Sequence, residues 1–123
     1  VSEHRERIKK VLRNKRQQYS IGMMILIVEA YRDTLNLKHP LIRSNSFREV
    51  TYSKAACDDI LRLLKEAFDL PFEVTALDIL EQYTEKMKQY ASEHDDKEHA
   101  ECFSQAASIG EYFVEQYWFN VNN

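Results

Sequence analysis

The sequence predicts an all-α fold: a single-domain bundle of four main helices with a long N-terminal helix. Three observations carry that expectation. The chain has only 2 Gly and 2 Pro in 123 residues, whereas an all-β domain needs turn residues every ~8–12 positions. Apolar residues recur at steps of three and four in four separate segments, the period of a helix with one buried face. The composition, 44% hydrophobic with 30% charged, suits a chain that closes a core and excludes a disordered tail. A length of 123 residues holds one domain, and that domain can bury a core without disulfides or metal.

The first helix is expected from about Ser2 to Leu35. Ile8, Val11, Leu12, Tyr19, Met23, Leu26, Ile27 and Tyr31 recur along it at helical steps. Gly22 interrupts the pattern, at a cost of about 1 kcal/mol against Ala. Pro40 closes it, because the residue before a proline avoids the α region. Met23–Val28 is apolar on every side, so it is expected to be the most buried turn. A short buried strand is the rival reading of that run, and the strong helix formers on both sides favour helix. At 1.5 Å per residue the helix is about 50 Å long. It therefore either kinks at Gly22 or projects its first half, residues 1–18, as a basic arm.

Residues 36–52 read as an irregular connection with room for one short helical turn, anchored by Leu41, Ile42, Phe47, Val50 and Tyr52. A second helix is expected from Lys54 to about Leu70, capped by Ser53 and stopped by Pro71. Its inner stripe is Cys57, Ile60, Leu61, Leu64, Ala67 and Phe68. The third helix covers Ala76 to about Ser92, with Thr75 and Asp78 in the places of a capping box. Leu77, Leu80, Tyr83, Met87 and Tyr90 face inward. The fourth covers about Lys97 to Phe119, with Asp95 and Glu98 as a capping pair. Ala106, Ala107 and Gly110 form a small-residue patch on it, suited to close approach of the bulky Met23–Val28 segment.

The formal charge of −3 conceals an asymmetry. Residues 1–62 carry +6 and residues 63–123 carry −9. Such a split suits an acidic partner for the basic half, or head-to-tail pairing of the chain with itself. Cys57 and Cys102 fall in apolar patterns and read as buried thiols of a reducing compartment. The longest apolar run, Ile21 to Val28, has eight residues, too few for a bilayer that takes about 20. A cytoplasmic protein with no membrane contact is the expectation.

Candidate functional residues fall into two groups. Arg5, Arg7, Lys9, Lys10, Arg13, Lys15 and Arg16 place seven cations in twelve residues, a supply of phosphate contacts for nucleic acid. Ile8, Val11 and Leu12 give the same arm an apolar stripe that needs cover. The end of the fourth helix crowds five aromatics into eight residues, including Tyr112, Trp118 and Phe119. Tyr and Trp there offer contact area with a polar handle, unless the tail folds back over its own bundle.

Catalytic patterns are sparse. Asp95, His99 and Cys102 share a helical face, but three or four supported ligands are needed to hold a metal, and none is expected. His94-Asp95 matches the central dipeptide of HD-type phosphohydrolases, but that family also needs a later Asp on another helix, and no Asp follows Asp96. Arg32, Asp33 and His39 fit an Arg-x6-His spacing. Over those three residues the chain resembles the HEPN ribonucleases, small helical proteins that gather Arg and His at a dimer cleft. The resemblance implies attack on an RNA phosphodiester by Arg32 and His39. An exposed Arg and a loop His account for the same letters. There is no Gly-rich phosphate loop and no CxxC.

The expectation is accordingly a small non-enzymatic interaction or regulatory protein of adaptor or inhibitor type. It acts as a homodimer and on an unidentified protein, with no cofactor. A nucleic-acid-binding regulator using the basic helix is the alternative, and a HEPN-like ribonuclease the third.

Overall fold

The computed structural model describes residues 2–38, 44–69 and 74–121. It is an all-α, four-helix bundle: α1 Ser2–Lys38, α2 Ser44–Asp69, α3 Ala76–Glu93 and α4 Lys97–Gln116, closed by a π-helical turn Tyr117–Val121. No strand occurs among the described residues. Cross-helix pairs define the directions. Arg32 meets Asp58 and Glu29 meets Lys65, so α1 and α2 run antiparallel. Lys88 meets Glu111 and Tyr90 meets Phe103, so α3 and α4 do likewise. Arg48 meets Glu101 and Ser53 meets Gln105, so α2 and α4 run parallel. Two hairpins thus join mainly along α2 and α4.

The core lies where the hairpins meet. Met24 and Val28 of α1, Cys57, Ile60 and Leu64 of α2, Leu80 of α3 and Phe113 of α4 are fully enclosed. Phe113 and Tyr31 form a T-shaped pair with ring centroids 5.4 Å apart, a geometry favoured by the ring quadrupoles.

Several local expectations hold. α3 opens with a complete capping box: Asp78 N–H donates to Thr75 Oγ1 at 3.1 Å, and Thr75 N–H donates to Asp78 Oδ2 at 3.2 Å. The long α1 also stands, and it runs without a break through Gly22. Its 37 residues span about 55 Å, so the arm projects. Every residue from Glu3 to Arg13 is exposed.

Other expectations are corrected. The segment 36–52 is not irregular to its end: α2 begins at Ser44. Ser53 is no cap but a buried mid-helix residue whose hydroxyl accepts from Gln105 Nε2 at 3.0 Å. A side-chain partner on α4 removes the usual objection to Ser inside a helix. Val50 joins the core as an anchor; Leu41, Ile42 and the Phe47 side chain lie outside the described residues. Asp96, not Asp95, caps α4, accepting from Glu98 N–H at 3.3 Å. The α-helical part of α4 ends at Gln116 rather than Phe119.

At Gly110 the small patch receives α3, not Met23–Val28. A Cβ on Gly110 would stand 2.2 Å from Thr84 Oγ1, so this glycine seats α3, not α1. Nor is Met23–Val28 buried all round, for Leu26 is 62% exposed. Phe68, assigned to the inner stripe of α2, is 40% exposed and flanks Gly22. Ile79 and Ile109, absent from the expected stripes, are core residues.

Candidate interaction surface

α1 carries two apolar stripes, and the bundle uses one of them. Ile21, Met24, Val28 and Leu35 are buried. Ile8, Leu12, Tyr19 and Leu26 are exposed by 46%, 54%, 65% and 62%. At ~100° per residue the four exposed residues fall within about 40° of one another, roughly opposite the buried four. The outer stripe therefore runs from the tip of the arm onto the body of the bundle. Val11, 52% exposed, flanks it. Isolated exposed apolar residues are ordinary, but a continuous row of them marks a contact surface.

Sequence reading singled out Ile8, Val11 and Leu12, counted Tyr19 only in the helical repeat, and placed Leu26 in the most buried turn. The signal was present. Positions 8, 12, 19 and 26 keep steps of four and seven, whereas 21, 24, 28 and 35 belong to a second register. Merging two registers hid one of them.

The cations predicted for the arm are all exposed: Arg5, Arg7, Lys9, Lys10, Arg13, Lys15 and Arg16. Among the described residues the arm's ion pair is Lys9 with Glu6, at 3.7 Å. Lys15 sits in the apolar row between Leu12 and Tyr19, while Lys10 lies on the far side. The basic charge thus surrounds the arm instead of forming one face.

The aromatic tail divides. Tyr117 and Val121 pack on the core, while Trp118 and Phe119 are 48% and 76% exposed. Tyr112 leans on Tyr31 at 5.0 Å and keeps 38% exposure. The tail both folds back and leaves an outward edge.

The polar candidates are occupied with structural duties. Arg32 Nε donates to Asp58 Oδ1 at 2.6 Å, with a weaker second contact at 3.4 Å. That bond raises the Arg32 pKa further and ties α1 to α2. His39 lies outside the described residues. His99 meets Asp96, not Asp95, through Nδ1. This bond first, and then the Glu98 N–H, hold the Asp96 carboxyl below its ordinary range. His94 stacks on His99 at 5.6 Å and lies 5.0 Å from Phe103. No group of three metal-binding side chains converges among the described residues.

The thiols are not activated. Burial, and then Asp58, push the Cys57 thiol up to about 12, and burial also raises half-buried Cys102. A reactive cysteine needs the opposite shift. Sequence reading also missed an open groove of about 720 Å³ between α2 and α4, lined by Arg48, Tyr52, Lys97, Glu101 and Gln105 among others. Arg48 and Glu101 pair within this lining at 3.4 Å.

No family model, curated protein or solved structure matches the chain. No helix among the described residues is long and apolar enough to cross a membrane.

Proposed function

We propose that the chain is a small non-enzymatic interaction protein, adaptor- or inhibitor-like, that binds protein partners through the outer face of α1. The observation that carries this reading is the row Ile8, Leu12, Tyr19 and Leu26, each about half exposed or more. Covering a half-exposed aliphatic side chain contributes roughly 1 kcal/mol. An arm without tertiary support is also a marginal helix in water, so a partner that covers it stabilises both stripe and helix.

Light scattering and circular dichroism on the full chain test the reading. The expected mass exceeds the single-chain 14.6 kDa. Leu12→Asp with Leu26→Asp lowers it to one chain without loss of helical signal. An unchanged mass in that variant overturns the reading for self-association.

The seven exposed cations of the arm favour a second reading, binding to nucleic acid. It requires binding to DNA or RNA that weakens steeply with salt and disappears when Arg13, Lys15 and Arg16 are neutralised. No binding at ~50 mM salt removes it.

A further inference from the structure

We infer that the occupant of the outer face of α1 is the same face of a second copy, lying antiparallel about a twofold axis near residue 17. This deepens the interaction reading and rests on it. Positions 5, 8, 12, 15, 19, 22, 26 and 29 advance by alternating steps of three and four, the seam of a two-stranded coiled coil. Reversing one copy about residue 17 places Ile8 opposite Leu26 and Leu12 opposite Gly22. It also places Lys15 opposite the Tyr19 ring and Arg5 opposite Glu29. Each pair is complementary: apolar with apolar, large with small, cation with aromatic, cation with anion. Parallel pairing would set Arg5, Lys15 and Glu29 each against its own like charge, and Gly22 against Gly22 across a void.

Two observations stand beside the register. A Cβ at Gly22 would meet nothing closer than Phe68 at 3.7 Å, an ordinary contact. The bundle does not require glycine there, whereas a partner's Leu12 would use the hole. Charge agrees as well. The arm, residues 2–16, carries +5, and the segments beside which it would lie, 18–35 and 58–69, carry −1 and −2. Glu29 faces its own Lys65 at 3.8 Å but remains 45% exposed, open to a partner's Arg5. The buried and exposed stripes lie on opposite sides of α1, so each copy keeps its own bundle while pairing.

The test is disulfide capture in the full chain carrying Cys102→Ser, with fully buried Cys57 left in place. Ile8→Cys combined with Leu26→Cys is expected to oxidise to a covalent dimer. Either substitution alone is expected to give none, because the two copies of position 8 then lie roughly 27 Å apart along the seam. As a second measurement, Arg5→Glu alone and Glu29→Arg alone each lower the dimer fraction in light scattering, and the double exchange restores it. Efficient capture by Ile8→Cys alone overturns the antiparallel pairing. A dimer that the double-cysteine variant does not capture overturns the seam and leaves the interaction reading intact. A single-chain mass at concentrations on the order of 100 μM overturns self-pairing altogether. The arm is then assayed against nucleic acid.

Discussion

Two glycines, both inside helices, separate the closed part of this molecule from the open part. At Gly110 a Cβ would lie 2.2 Å from Thr84 Oγ1, 3.2 Å from Thr84 Cβ and 3.4 Å from its Cα. At Gly22 it would meet a single ring carbon at 3.7 Å. Each glycine costs its helix about 1 kcal/mol of propensity. Gly110 offsets that cost within the chain, by letting α3 and α4 come together. Gly22 has no such return inside its own bundle. Around Gly110 stand Ala106, Ala107 and Phe113, all buried; along α1 beside Gly22 stand Tyr19 and Leu26, both mostly exposed. The difference teaches that α3 and α4 are finished by their own packing, whereas the outer face of α1 is not.

The largest test of that contrast is Phe113→Ala. Phe113 is fully buried and paired with Tyr31, so its loss is expected to cost about 3–5 kcal/mol in urea unfolding. A cost below about 1 kcal/mol would show the α4 core to be loosely packed. Gly110→Ala comes next. Thr84 must move, and its hydroxyl loses the 2.7 Å bond it donates to the Leu80 carbonyl. A net destabilisation of about 1–3 kcal/mol is expected, and a stabilised variant would break the comparison.

Gly22→Ala is smaller and of opposite sign. Under dilute conditions that keep the chain monomeric, it is expected to stabilise by up to about 1 kcal/mol. A loss there would mean that Gly22, like Gly110, serves its own bundle. The smallest effect is expected at the start of α4. The Asp96 carboxyl is lowered by His99 and by the Glu98 N–H. A lowered carboxylate contributes stability that is complete above the ordinary aspartate range and is lost as pH falls through the lowered value. Amide protection at the first turn of α4 is therefore expected to persist at pH 5 and fade below about pH 4. An Asp96→Asn variant whose protection fades over the same interval as the parent's would remove this role.

Much of the architecture was legible beforehand. The α3 capping box was readable because Thr75 and Asp78 are three residues apart, and capping acts within one turn. The helical character of Met23–Val28 was readable from strong helix formers on both sides, whereas the choice between a kink at Gly22 and an unbroken α1 was not. The start of α2 was not. Ser53 looks like a cap by its neighbours, and only Gln105, 52 positions away, makes it acceptable in the middle of a helix. The candidate surface was half legible: Ile8, Val11 and Leu12 stood out as an arm stripe, but Tyr19 was not joined to them and Leu26 was read as core.

By itself the sequence determined that the chain is helical, where α3 starts and that the first helix is long and basic. Those outcomes depend on propensity, caps and period, which act over about four residues. Tertiary structure decided which of the two apolar stripes on α1 is buried and which helix fills the gap at Gly110. The physical reason is the same in each case. Two stripes of equal period present the same local pattern, and only the helices packed beside them make one a core and leave the other exposed.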